Sequence, residues 1–274
     1  MRVSPLSQSQ APEALAFLSR RPVDNVIMSG FIRDNGVVSP RNRGRFYGCW
    51  DARGALEGVA LLGHGVSFDS RSEAATALFA SLARRSPSSH LLMGGSEQVR
   101  SFWRHYAPDG AAPRKLREVS ILEQRRPFDG CETLSDLRLA RADEAEDVAA
   151  LHASMVLEET GVDPLAAEPE AFLRRCLTRI ERGRTWVWPK ADRVVYKADV
   201  IALTPEVAYV EGVYVSAAER GKGHGRRCLA EMGRRLLAHV GSVCLFVDQE
   251  NGRARDFYLG TGYEPSSRYQ ILYF

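Results

Sequence analysis

The sequence predicts an α/β protein: two mixed α/β domains in tandem, each a central mixed sheet flanked by helices. Three observations carry this. Residues 137–274 alternate strand-like and helix-like segments in the order β-α-α-β-β-β-α-β-α-β. Residues 12–123 give a similar order, and a fixed shift of 155 positions lays Ser89–Met93 on Cys244–Asp248 and Arg100-Ser101-Phe102-Trp103 on Arg255-Asp256-Phe257-Tyr258. That is the mark of an internal duplication. Between the halves, Arg125–Cys131 is charged and carries Pro and Gly, as a linker tolerates. The domains are therefore set at 1–126 and 132–274, in keeping with 274 residues at ~150 per domain.

In the second half, Leu137–Ala142 reads as a short strand and Asp143 as the cap of a helix over 144–159, with Val148, Leu151 and Met155 on one side. Gly161, Asp163 and Pro164 break it. A second helix runs over 168–182, its Phe172, Cys176 and Ile180 at four-residue steps. Thr185–Trp188 and Arg193–Val200 pair across a turn near Pro189–Asp192, and Val207–Val215 is a longer strand. Leu229, Met232, Leu236, Leu237 and Val240 form one apolar face of a helix over 225–240. Val243–Val247 is a buried strand, Arg253–Leu259 a short helix and Arg268–Phe274 a last strand.

In the first half, Pro12–Arg20 and Val23–Phe31 read as helices. Phe46–Trp50 and Leu56–Phe68 read as strands paired across Asp51–Gly54, where Gly54 supplies a positive φ. Glu73–Arg84 is a helix, Leu91–Met93 a strand, Ser96–Tyr106 a helix and Val119–Glu123 a strand.

Composition excludes several function classes. A hydrophobic fraction of 45% and a charged fraction of 26% describe an ordinary globular chain. Net charge is +3, from 37 basic and 34 acidic residues, without the basic stripe of a nucleic-acid partner. Five scattered cysteines show no zinc spacing and read as reduced thiols in the cytoplasm. Met1–Ala11 has no apolar signal core, and no apolar run approaches the ~20 residues that span a bilayer. No metal and no membrane partner is expected.

The most informative segment joins the strand ending at Val215 to the helix after it: Arg220-Gly221-Lys222-Gly223-His224-Gly225-Arg226. Alternate glycines let backbone N–H groups turn toward a ligand, and the helix N-terminus adds partial positive charge, which suits a phosphate or diphosphate. A plain tight turn is the alternative, but three alternating glycines exceed what it needs. Two nucleotide loops fail by residue. A Walker loop needs Ser or Thr after Lys222, where Gly223 stands. A dinucleotide fingerprint needs glycine at 226 or 228, where Arg226 and Cys228 stand.

Arg220–Gly225 fits the pattern Gln/Arg-x-x-Gly-x-Gly/Ala and closely resembles the acyl-CoA loop of the GNAT superfamily of N-acyltransferases. Ser216-Ala217-Ala218 stands where one bacterial branch has Thr-Pro-Pro. Leu245–Tyr258, followed by Gly262-Tyr263, resembles the superfamily's strand and Asn-x-x-Ala-x-x-x-Tyr helix. The resemblance covers about residues 137–274. The first half matches in element order only; its counterpart of the loop, Leu61–Ser70, lacks the arginine and the glycine trio, so a degenerate domain that helps form the acceptor cleft is expected.

The resemblance implies acetyl-CoA as co-substrate and a primary amine of a small molecule, amino acid or peptide as acceptor. Val213, Tyr214 and Val215 would pair with the pantetheine arm as an added strand does. Arg220, Gly221, Lys222, Gly223, His224, Gly225 and Arg226 would surround the diphosphate, and a backbone N–H near Val215 would polarise the thioester carbonyl. Asn251, Arg255 and Tyr258 share one helix face, and Tyr258 matches the tyrosine that protonates the departing thiolate. Glu211 is the candidate base, on a strand face shared with Val213 and Val215, with Tyr209 as its competitor. Glu158, Glu159 and Asp163 point to a cationic acceptor. Arg226, Arg227, Arg234 and Arg235 read as solvated surface, with Arg226 or Arg227 within reach of the 3′-phosphate. A monomer or homodimer is expected; a non-catalytic acyl-CoA sensor is the alternative function.

Overall fold

The β-branched run Val207–Val215 forms a strand with the bounds its pattern predicts, in a computed structural model that describes residues 1–86, 88–191 and 193–274. Contacts divide the chain into two units. The first holds Met1–Leu122, Phe246–Gly252 and Pro265–Phe274; the second holds Glu123–Leu245 and Arg253–Glu264.

The first unit runs β1 (Arg2–Pro5), α1 (Ala11–Leu18), α2 (Val26–Asn35), β2 (Gly44–Trp50), β3 (Leu56–Gly63), β4 (Gly65–Ser70), α3 (Glu73–Arg84), β5 (Leu91–Gly95), α4 (Ser96–Tyr106) and β6 (Lys115–Gln124). β1 to β4 pair antiparallel in sequence order and β4 pairs parallel with β5. The sequence's last strand, Glu264–Tyr273, then lies antiparallel on β5, from Tyr269↔Gly95 to Tyr273↔Leu91. Apart from Glu57, β3 is apolar because both its faces are covered. Val59 and Leu61 pack with Phe17, Leu18 and Met28 of α1 and α2. Ala60 and Leu62 pack with Phe79 and Phe102 of α3 and α4. Asp69, 1% exposed, ties the helices to β4 by accepting from Asn25 (2.6 Å), Gln98 (3.2 Å) and Arg21.

The strand expected over Leu56–Phe68 is two strands. Chain reversal at Gly63-His64-Gly65 pairs Leu62 with Val66, and a Cβ at Gly63 would strike the Arg43 carbonyl, so only glycine fits. The stretch read as a counterpart of the glycine loop is thus a hairpin. The true strand-to-helix junction is Arg71-Ser72, where Ser72 Oγ accepts from Ala75 N–H at 3.3 Å. This cap satisfies an otherwise open helix donor, and Ser72→Ala is expected to cost about 1 kcal/mol in urea unfolding.

The second unit runs β7 (Arg138–Leu139), α5 (Ala145–Thr160), α6 (Pro164–Ala167), α7 (Pro169–Glu181), β8 (Thr185–Lys190), β9 (Arg193–Leu203), β10 (Val207–Val215), α8 (His224–Leu237), β11 (Ser242–Asp248), α9 (Gly252–Leu259) and β12 (Glu264–Tyr273), the last strands and α9 being shared in part with the first unit. Asp192 of the expected turn lies outside the described residues. β7 to β10 pair antiparallel in order and β10 pairs parallel with β11. Each unit therefore ends an antiparallel run in a parallel pair bridged by a helix, β4-α3-β5 and β10-α8-β11, as tandem domains of one fold should.

Several expectations change here. Asp143 does not cap α5: Glu144 does the local work, its carboxylate accepting from Arg141 N–H (2.8 Å) and from Arg138 (2.7 Å). Only Arg138–Leu139 of the expected first strand pairs. Arg234 and Arg235 are not solvated surface. Both pair with buried Glu231, and Arg235 donates to the carbonyls of Leu137 (2.6 Å) and Leu134 (3.1 Å), stapling that segment to α8. The five cysteines are free thiols. Among the described residues, no helix is long and apolar enough to cross a membrane and no group of three or more His, Cys, Asp or Glu could hold a metal.

Candidate active site

Ser216–Gly223 carries the chain from β10 to α8. Gly221 and Gly223 take φ of +76° and +77°, and a Cβ on either would meet nothing within 4 Å. These two glycines serve backbone conformation under open space. Gly225 serves packing, for a Cβ there would lie 3.1 Å from Val215 Cγ2 and 3.5 Å from the Phe257 ring. Inside the chain, the loop's first helical bond is Arg227 N–H to Gly223 O at 3.2 Å. Among the described residues, the N–H groups of Gly221 through Arg226 find no acceptor in the chain. Six successive donors at a helix N-terminus form a ready anion cradle.

Side chains tie the loop at two points. Glu219 accepts from Lys190 of β8 (2.9 Å) and lies 3.2 Å from both Lys222 and His224. The Lys190 hydrogen bond, with Lys222 after it, holds Glu219 down to about 2. His224 also packs on Trp188, ring centroids 4.8 Å apart. Arg220 forks onto both oxygens of Glu158 of α5 (3.0 and 2.9 Å), donates to Val215 O (3.0 Å) and lies over the Tyr214 ring. Tyr214 donates to the same Glu158 at 2.6 Å. Glu158 is thereby engaged within the chain, and Asp163 caps α6 at Leu165 N–H. Arg226 lies over the Phe128 ring, and Arg255 is exposed near Asp256. Asn251 belongs to the first unit, where its N–H donates to Asp248 O.

The parallel register of β10 with β11 runs from Val207↔Ser242 to Tyr209↔Cys244, and β10 continues past it to Val215. Ser216 N–H donates to Val195 O, so Val215 is the non-hydrogen-bonded partner of Tyr196 and turns its own amide groups away from β9. Two register shifts interrupt β10 against β9: Tyr209 pairs with Ala202 but Val210 with Val200, and Glu211 pairs with Asp199 but Tyr214 with Lys197. The second shift is a bulge at Gly212, φ +63°. Side-chain parity therefore changes twice. Glu211 shares its face with Tyr214, Asp199 and Lys197; it does not share one with Val215, as the unbroken alternation predicts, and Tyr209 falls on the opposite face.

Glu211 is exposed to solvent, yet protein atoms crowd its carboxyl, and this desolvation pushes it above the ordinary range. Tyr258 of α9 is half-buried and raised to about 12, first by burial and then by the Glu159 and Glu211 carboxylates. The structure thus brings Glu211, Glu159 and Tyr258 into one electrostatic neighbourhood. It adds a cluster the sequence reading missed. Lys197 and Asp199, 1% and 2% exposed, are bonded at 2.6 Å; Lys197 also donates to His152 (2.7 Å), and Asp199 accepts from Arg179 (2.8 Å) and Thr185 (2.7 Å). Its signal was present: opposite charges two residues apart, on one face of an otherwise apolar strand.

Residues 148–263 match the family model described as the Acetyltransferase (GNAT) family. An acetyltransferase of the GNAT family from Colwellia psychrerythraea is similar in structure, with TM-score 0.64 and 12% identity over 100% of both chains. A tandem GNAT protein from the clavulanic acid biosynthesis pathway gives TM-score 0.60 and 16% identity over 99% of this chain and 97% of its own. A GCN5-related N-acetyltransferase from Sphaerobacter thermophilus gives 0.55 and 14% over 99% and 94%. No curated protein matches the sequence. At such identities these likenesses establish the fold, over the whole length; the family match adds the chemistry. The chain carries a GNAT-family acetyltransferase domain within a tandem of that fold, and it is an acyltransferase.

Proposed function

We propose that the second half, residues 132–274, transfers an acetyl group from acetyl-CoA to a primary amine of a small molecule, amino acid or peptide by direct attack. The observation that carries this is the row of unpartnered N–H groups from Gly221 to Arg226, with open space at Gly221 and Gly223, which suits the diphosphate of the co-substrate. Lys222, His224 and Arg226 border the same loop, with Arg255 as a further cofactor contact. The out-turned N–H of Val215, whose carbonyl Arg220 already holds, with Val213 and Tyr214 before it, offers the edge for the pantetheine arm. The free thiols fit a cytoplasmic setting.

The co-substrate supplies an activated acyl carbon and a thiolate leaving group. Glu211 accepts a proton from the acceptor ammonium, freeing the nitrogen lone pair; a C–N bond forms as the C–S bond breaks, and the surplus proton on the acylated nitrogen passes to the departing thiolate, giving amide and free thiol. Tyr258 stays protonated at neutral pH, being raised to about 12. That lies some 3 units above a thiol near ~8.5, so its hydroxyl serves chiefly as a hydrogen-bond donor to the developing thiolate. Tyr258→Phe is expected to lower kcat about 10-fold to 100-fold while acetyl-CoA affinity holds.

The test is acetyl-CoA calorimetry, followed by a thiol-release screen across primary amines. Micromolar or tighter binding with amine-dependent release supports the reading. Binding with no amine stimulation overturns the enzymatic part, and no binding overturns all of it.

A further inference from the structure

The bulge in β10 lies directly over a buried charge. A Cβ on Gly212 would sit 2.9 Å from Lys197 Nζ, 3.3 Å from Asp199 Oδ2 and 3.8 Å from His152 Cε1. Glycine is needed twice there, for its φ of +63° and for the ammonium pressed against its α-carbon. Lys197 is itself immobilised. It is held by Asp199 (2.6 Å) and His152 (2.7 Å). His152 stacks on Phe172, and Asp199 is pinned from β8 by Thr185 and from α7 by Arg179. Glu211 is the residue next to this glycine, and it is the cross-strand partner of Asp199 on the same face.

We propose that Lys197 is a positioning residue for Glu211: clamped by Asp199 and His152, its ammonium supports the Gly212 bulge that sets the Glu211 carboxylate and places a fixed positive charge beneath it. The proposal rests on the reading of Glu211 as the base. A buried lysine could instead serve only to fill the space between β9 and α5, and the two roles differ in what Glu211 feels.

The groups facing Glu211 are Arg179 from α7, Asp199 and Lys197 from β9, and Glu159 from α5, with Tyr258 of α9 nearby. Arg179 and Lys197 favour its ionised form; Asp199 and Glu159 oppose it. His152 adds no charge: burial first, and the Lys197 ammonium second, lower it to about 3. Asp199 stays ionised because Lys197 and Arg179 outweigh the burial that opposes its charge. Removing the Lys197 charge must therefore raise the Glu211 pKa. Lys197→Gln is the informative variant, since it keeps a hydrogen-bond donor for Asp199 and His152; Lys197→Met removes the donor as well.

The experiment is a 13C NMR titration of the Glu211 carboxyl in the full chain, assigned by the signal lost in Glu211→Gln. It is paired with the pH profile of kcat/KM on the best amine from the thiol-release screen. In Lys197→Gln both the titration and the acid limb are expected to move up by about one pH unit. Lys197→Met is expected to do the same wherever it folds. Because Asp199 keeps Arg179 and Thr185, the Gln variant has no stranded buried charge, and an unmoved Glu211 titration in it overturns the proposal. The titration needs no turnover, so it stands apart from the base assignment. If Glu211→Gln keeps full kcat while Lys197→Gln still moves the carboxyl, the base reading falls and the electrostatic placement stands.

Discussion

Glu211→Gln is expected to lower kcat by about 10²-fold to 10⁴-fold, the usual contribution of a positioned base, with acetyl-CoA affinity unchanged. Gln keeps the shape and hydrogen-bonding capacity of the side chain and removes its ability to take a proton. Because desolvation raises the wild-type carboxyl above its ordinary ~4.3, activity should fall on acidification through a limb displaced upward from that value. The sign follows from the role: a base works only when ionised, so rate is lost as pH drops through the raised pKa. The limb should vanish in Glu211→Gln, leaving the ionisation of the acceptor amine to shape the profile. Steady-state kinetics from pH 5 upward read both effects, and a Gln variant with wild-type kcat removes Glu211 from the chemistry.

Gly223→Val is expected to weaken acetyl-CoA binding by roughly 100-fold or more by calorimetry. A β-branched side chain opposes φ near +77°, so the loop leaves that conformation and turns N–H groups out of the cradle. Losing about two charge-assisted hydrogen bonds accounts for about 3 kcal/mol. Thermal stability should fall only by the backbone cost of the left-handed φ, about 1–2 kcal/mol, since a Cβ at Gly223 meets nothing within 4 Å. Gly225→Val makes the contrast: it drives side-chain atoms into Val215 and Phe257 and should lower Tm. A Gly223→Val protein that binds as tightly as wild type would show that the loop does not hold the diphosphate.

Local pattern made much of the second unit legible. Strand β10, helix α8 and the loop between them follow from β-branched runs, one apolar helix face and alternate glycines. The first unit's α3 and α4 were also legible with their bounds. What escaped were features set by cross-strand geometry. The bulge at Gly212 exchanges the faces of β10, and no alternation rule applied to Val207–Val215 anticipates it. The turn at Gly63-His64-Gly65 is hidden because apolar residues flank it on both sides, Val59–Leu62 before it and Val66 after it. Lys197 and Asp199 carry no motif in the sequence; only their burial against α5 and α7 gives them a role. The ties of Glu158 to Arg220 and of Asp163 to the α6 N-terminus are likewise set by residues distant in sequence or by local turn geometry, and no charge pattern announces them.

The pairing of Tyr269–Tyr273 with β5 has a consequence for biogenesis. A nascent chain displays the β5 edge long before its partner is made, because more than half the sequence intervenes. The first unit cannot complete its sheet until the stretch containing Pro265–Phe274 has left the ribosome. Folding of that unit is therefore tied to the synthesis of that stretch, and premature termination upstream of it would leave an open, apolar strand margin inviting aggregation.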